Sequence, residues 1–182
     1  NILSIGVKAS YDYYGRIAVD YQSLSRTNAG TKTDIANNES RLGLKGNFAL
    51  GNQSETKIIY QIEYGIDPVD GKARGDDGTL KKRNTYLGVQ NKLGTIFVGT
   101  HDSALKKAQL KVDLFNDLAP DIKNVLHGEN RLEDFIGYIT PKFQGVFSAS
   151  FNSIKNSSSS GKKFKSYSLN YSGNRFLAAF AI

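Results

Sequence analysis

The sequence predicts an all-β protein, a transmembrane antiparallel up-and-down β-barrel, and three observations point there. Apolar and polar residues alternate with a period of two through about nine segments. Short turns and long polar loops take turns between those segments, as in a barrel with one short-turned end and one long-looped end. Tyrosines gather toward the ends of the apolar faces (Tyr21, Tyr60, Tyr64, Tyr86, Tyr138, Tyr167 and Tyr171), where interfacial girdles sit. A soluble antiparallel sandwich alternates too and is the competing reading. Charges in mid-strand on the opposite face (Lys45, Lys57, Glu63) favour the barrel, because they suit a watery interior. So does the scarcity of proline and other edge-blunting devices.

Each segment carries its own alternation. In YGRIAVDYQ, Gly15, Ile17, Val19 and Tyr21 oppose Arg16, Ala18, Asp20 and Gln22, and the polar stretch SRTNAGTKTDIANNE reads as a loop. RLGLKGNF sets Leu42, Leu44 and Phe48 against Arg41, Lys45 and Asn47, and LGNQSE turns the chain. KIIYQIEYGI sets Ile58, Tyr60, Ile62, Tyr64 and Ile66 against Lys57, Ile59, Gln61 and Glu63. A Gly- and Asp-rich loop, DPVDGKARGDDGT, leads to KRNTYLGVQN, the tight turn KLG and the strand GTIFVGT. RLEDFIGYIT follows after a long interruption. VFSASFN, SYSLNY and NRFLAAFAI then resume the rhythm, with Phe147, Ala149, Phe151, Tyr167, Leu169, Tyr171, Phe176, Ala178 and Phe180 on the apolar side.

The interruption, about residues 101–130, fits neither strand nor ordinary turn, and a connection of that length is usually functional. It mixes Asp113, Asp117, Asp121 and Glu129 with large apolar residues such as Leu114, Phe115 and Leu118. A solvated loop has no use for so many apolar groups, so this one is expected to fold into the barrel and narrow it. Ile59, Leu87 and Phe135 are expected to turn inward and receive it.

Composition narrows the function classes. With no cysteine there is no thiolate metal site, disulfide or cysteine nucleophile. Two histidines, His101 and His127, make a poor metal site, and no P-loop, GxSxG or Rossmann glycine pattern occurs. No run of apolar residues is long enough for a spanning helix. A mean hydropathy of −0.40 fits a barrel that hides its apolar face by alternation. The net charge of +7 admits nucleic acid or an anion-attracting pore. The basic runs Lys81–Lys82–Arg83 and Lys162–Lys163–Phe164–Lys165 are the case for nucleic acid, but stacking aromatics would have to share the basic face, and here they oppose it. No nucleic acid, cofactor, metal or catalytic residue is expected.

The segments ESRLGLKGNFALGN, IIYQIEYGI, KRNTYLGVQNKLGTIFVGTHDSALK and NRLEDFIGYITPKFQGVFSASFN resemble the Gram-negative general porins of the bacterial outer membrane, in order and spacing, from about residue 14 to 151. The resemblance implies a sixteen-stranded trimeric barrel whose third loop forms the constriction, here at about residues 101–130. It implies a basic wall of Arg41, Arg83 and Arg131, with Lys45 and Lys81, facing the acidic loop residues. The loop lacks the family's commoner PEFG-like turn, and His101 stands where an amide or arginine is frequent. About nine strands, no methionine and no terminal aromatic strand imply a partial chain, residues 1–182 being one incomplete porin domain. The implied function is passive diffusion of small hydrophilic solutes and ions through the outer membrane, with anions preferred. The implied surroundings are the lipid bilayer, lipopolysaccharide and two further copies of the chain. A non-conducting structural or adhesive barrel is the alternative, and a basic soluble domain binding nucleic acid a more distant one.

Overall fold

The computed structural model describes residues 9–26, 30–51, 55–70, 72–73, 80–109, 131–154 and 164–182. Nine strands form one antiparallel meander: β1 (Ala9–Arg16), β4 (Arg41–Ala49), β5 (Lys57–Asp67), β8 (Thr85–Asn91), β9 (Gly94–Asp102), β10 (Arg131–Ile139), β11 (Phe147–Ile154), β12 (Lys165–Ser172) and β13 (Leu177–Ala181). Two short strands, β6 (Lys72–Ala73) and β7 (Lys81–Lys82), pair with β5. Among the described residues the sheet is open, ending at β1 and β13. Its nine-strand path matches the nine alternating segments, and short and long connections alternate along it.

The first segment differs from expectation. YGRIAVDYQ is broken at Ile17–Ala18, and most of the polar stretch after it is not a loop. β2 (Val19–Arg26) and β3 (Gly30–Asn37) make a separate two-stranded hairpin between β1 and β4. Thr31, Thr33 and Ile35 supply β propensity that the polar composition masks. Buried Ser40 ties the hairpin's base down: the Ala18 amide donates to its Oγ at 3.0 Å, and the Ile66 amide donates to its carbonyl at 3.0 Å.

The register sorts side chains onto two faces. One face carries exposed apolar groups along the whole path, including Tyr13, Leu42, Ile62, Val98, Leu169 and Phe180. So large an apolar surface is what hydrocarbon covers in a barrel wall. The other face holds the buried residues Glu63, Arg83, Phe97, His101, Phe135, Asn152, Ser166 and Ser168. A short helix, α1 (Ala104–Ala108), follows β9 and lies over this inner face.

Two expectations about faces are corrected by the pairing. Gln61 pairs with Tyr86 while Tyr64 pairs with Lys82, so the β7–β8 side holds one extra residue. This bulge, together with adjacent Tyr86 and Leu87, makes the local alternation ambiguous. Tyr86 therefore faces inward against Phe97 and His101 instead of joining the girdle. Leu87 pairs with Tyr60 and faces outward, 55% exposed. Phe135 does turn inward, and Ile59 lies on that face by register.

Candidate functional site

The inner face carries two ionic clusters and one aromatic one. The first is built on Glu63 of β5, whose side chain projects inward by alternation. Arg83, just after β7, donates from Nε to Glu63 Oε1 at 2.7 Å and also pairs with Glu39. Arg41 Nε stands 3.8 Å from Glu63 Oε2, and Arg41 donates to the Glu39 carbonyl at 3.3 Å. Glu39 sits at φ 57°, in the left-handed region, on the bend leading into β4. Tyr14 of β1 reaches over Gly43 and donates to Glu63 Oε2 at 2.8 Å; Gln61 donates to the Tyr14 oxygen at 2.7 Å. A Cβ on Gly43 would lie 2.3 Å from the Tyr14 ring, so only glycine leaves that path open. Glu63 is 5% exposed and Arg83 7%, and a charge so covered is tolerable only when paired.

Asn84, the neighbour of Arg83, opens the second cluster. It donates to Asp102 Oδ2 at 2.9 Å and accepts from Arg131 Nε at 3.1 Å. Arg131 Nε is 3.2 Å from Asp102 Oδ1, joining the end of β9 to the start of β10. The pair sits beside a register break between Leu132 and Phe135, where Asp134 takes φ 51°.

The aromatic cluster lies between these clusters and α1. His101 packs against Tyr86, Phe97 and Phe135, with centroids 5.0, 4.8 and 6.1 Å away. The Phe97 ring lies over Gly137, where a Cβ would meet it at 2.4 Å. His101 is thus one plate of a ring stack, and its Nδ1 is 2.9 Å from the Asp102 carbonyl oxygen. Among the described residues no group of three acidic, histidine or cysteine side chains could hold a metal.

α1 shows where the long connection begins. Ser103 caps it, accepting from the Lys106 amide at 3.1 Å, and both Ser103 and Ala104 are fully buried. The Leu105 amide then donates to Ser166 Oγ of β12 at 3.1 Å. β12 lies three strands beyond β9 in the sheet, so the chain crosses the inner face immediately after leaving β9.

Of the residues expected to form the basic wall, Arg41 and Arg83 meet in one cluster and Arg131 lies in the other. Lys45 is exposed on the inner face, its ammonium 5.6 Å from the Tyr14 ring centre. Lys81 is exposed in β7, paired in register with Gly65. Asp113, Asp117, Asp121 and Glu129 lie outside the described residues. Glu39, Tyr14, Asn84, Asp102 and Ser166 were missed. A mid-strand glutamate beside tyrosines was the signal for Glu63; nothing local marks Glu39, whose role depends on Arg83 arriving from 44 residues away.

Comparison with known proteins agrees with this geometry. A curated relative, the major outer membrane protein P.IB of Neisseria gonorrhoeae, is 26% identical over 98% of the chain and 53% of its own length. The chain thus spans about half of that relative. Among solved structures, the anion-selective porin from Comamonas acidovorans superposes with a TM-score of 0.75 at 18% identity, covering 96% of this chain and 57% of the other. A trimer form of OmpT from Vibrio cholerae gives 0.65 at 13%, covering 91% and 47%. These two likenesses speak for a shared barrel fold. A family model described as Gram-negative porin matches residues 4–181, so this chain belongs to the Gram-negative porins of the bacterial outer membrane.

Proposed function

We propose that the whole protein is a passive diffusion channel for small hydrophilic solutes and ions, with anions preferred. The connection at about residues 101–130 would fold into the lumen as its constriction, and residues 1–182 would be one incomplete barrel domain. The carrying observation is the Leu105–Ser166 hydrogen bond, which starts that connection across the inner face instead of out from the rim. A connection whose first turn already packs on the wall supports a narrowing of the lumen there. The acidic residues Asp113, Asp117, Asp121 and Glu129 would then face the wall that bears Arg41, Arg83 and Arg131, with Lys45 and Lys81 beside them. Charges across a narrow gap bounded by low-dielectric protein act more strongly than in bulk water. The net charge of +7 supports an anion preference. A trimer form exists for the OmpT relative, and we extend a homotrimer, set in lipid and lipopolysaccharide, to this protein.

Deleting residues 110–128 from the whole protein tests the reading. Barrel stability rests on interstrand hydrogen bonds and lipid-facing area, so the barrel should still assemble. Single-channel conductance and the largest permeant neutral sugar should both rise. A deletion that leaves both unchanged would put the connection outside the lumen.

A further inference from the structure

We propose that Lys45 and Lys107, and not the wall arginines, set the charge preference of the pore; this assignment rests on the diffusion-channel reading above. Every wall arginine of the two clusters is matched. Arg41 and Arg83 face Glu39 and Glu63, and Arg131 faces Asp102. Opposite charges in contact leave a field that dies away faster than that of a single charge, and salt screens the remainder within about 8 Å. The clusters therefore give the wall its shape and little net potential.

The two lysines are arranged differently. Lys45 is exposed on the inner face, and among the described residues no carboxylate comes within ion-pair distance, its register partner Asp12 included. Its ammonium sits over the Tyr14 ring, 5.6 Å from the centre. Lys107 of α1 is likewise exposed and lies over Phe97 at 5.9 Å; Asp102, the carboxylate that acts on it, is already held by Arg131. An aromatic face attracts a cation through its quadrupole but carries no net charge, so it positions an ammonium without neutralising it.

Depth distinguishes this pair from other exposed lysines. Along the register, Lys45 aligns with Gln61 and Tyr86, and Phe97 aligns with Gly88 and Ile59. These two rungs are neighbours on the inner face, crossing the eleven-residue β5 at its fifth and third residues. Lys57 begins that strand, and Lys81 pairs near its other end. A solute crossing the middle of the wall meets Lys45 from one side and Lys107 from the loop that covers it.

The test is the reversal potential of the whole protein in planar bilayers across a potassium chloride gradient at low ionic strength. A unit charge about 8 Å from a permeating ion changes its occupancy roughly twofold even at the dielectric of water. Lys45→Gln and Lys107→Gln should each lower the anion-to-cation permeability ratio by roughly two- to fivefold, and the double variant by more. Lys45→Arg should retain the ratio. Lys92→Gln, in the tight turn between β8 and β9, removes the same net charge farther from the solute's path and should change the ratio by less than either lysine variant, since Coulomb energy falls with distance. Heat-modifiable migration confirms that each variant is folded. If the mid-wall variants move the ratio no more than Lys92→Gln does, selectivity follows overall charge and the assignment falls. A folded wild-type protein that passes no current overturns the channel reading itself.

Discussion

The inner face is built in two ways. On β5, β9, β10 and the segments beside them it is ionic and self-satisfied: Arg41, Arg83 and Arg131 are each held by a carboxylate of the wall. On β11 and β12 it is small and uncharged, with Ser148, Ser150, Asn152, Ser166, Ser168 and Asn170 in inward register positions. The second part receives the start of α1, while Lys107 near its end reaches back over Phe97 of the first. Paired charges would resist being covered, because each would lose the hydration it still has. Serines leave room for a buried Ala104 and an unused oxygen for the Leu105 amide. One part of the wall is fixed by its own contacts, and the other is shaped to accept a visiting segment.

The largest effect that could break this contrast is loss of Glu63. Glu63→Leu leaves covered Arg83 with Glu39 alone and takes a partner from Arg41 and Tyr14, at a cost of about 2–3 kcal/mol. Urea unfolding in lipid vesicles should show a matching drop, while Ser168→Ala on the other part should cost well under half of it. A Glu63→Leu barrel as stable as wild type would mean that Glu39 and lumen water, and not Glu63, satisfy Arg83.

The outer surface should not distinguish the two parts. Leu44→Arg and Leu169→Arg both place a charge toward hydrocarbon and should cost about 2–4 kcal/mol each. Lys45→Leu, one residue from Leu44, should cost little. Equal damage from Leu44→Arg and Lys45→Leu would mean that the faces are exchanged, since a slip of one residue inverts them.

A smaller effect tests the docking itself. Ser166→Ala removes the acceptor of the Leu105 amide, worth about 1 kcal/mol, and leaves the strand pairing of β12 untouched. Trypsin cleavage after Lys106 or Lys107 should quicken by roughly fivefold, the population change that such an energy implies. Unchanged cleavage would show that α1 is held by packing alone.

The smallest effect concerns pH. Lys107 is open to the lumen on one side and packed against the wall on the other, and the hydration lost there lowers its ammonium below its ordinary value, while Asp102 acts in the opposite sense. Lys107 is positive below its folded pKa and loses its charge as pH rises through it, at a pH below the usual lysine range. In Lys45→Gln, where Lys107 remains, anion preference should therefore fade on alkalinisation sooner than ordinary lysine titration predicts. Reversal potentials across alkaline pH check this, and a ratio constant up to ordinary lysine titration would mean that Lys107 keeps full hydration.

Alternation, turn spacing and the anomalous long connection were legible along the chain, because each rests on neighbours in sequence. They sufficed for the nine-strand path, for the inward placement of Glu63 and Lys45, and for a connection worth suspecting. The hairpin of β2 and β3 was not legible, since its polar composition resembles a loop until the strands pair. The faces of Tyr86 and Leu87 depended on a bulge that only the partner strand reveals. The partners of the arginines were hidden for a deeper reason. Arg83 meets Glu39 across 44 residues and Arg131 meets Asn84 across 47, and no local pattern encodes which carboxylate or amide a barrel brings to a given arginine. By itself the sequence determined which residues could face inward, because the pleat of a strand has a fixed period of two. Only the tertiary structure decided which inward charges cancel, because ion pairing depends on distances of a few ångströms set by register between strands.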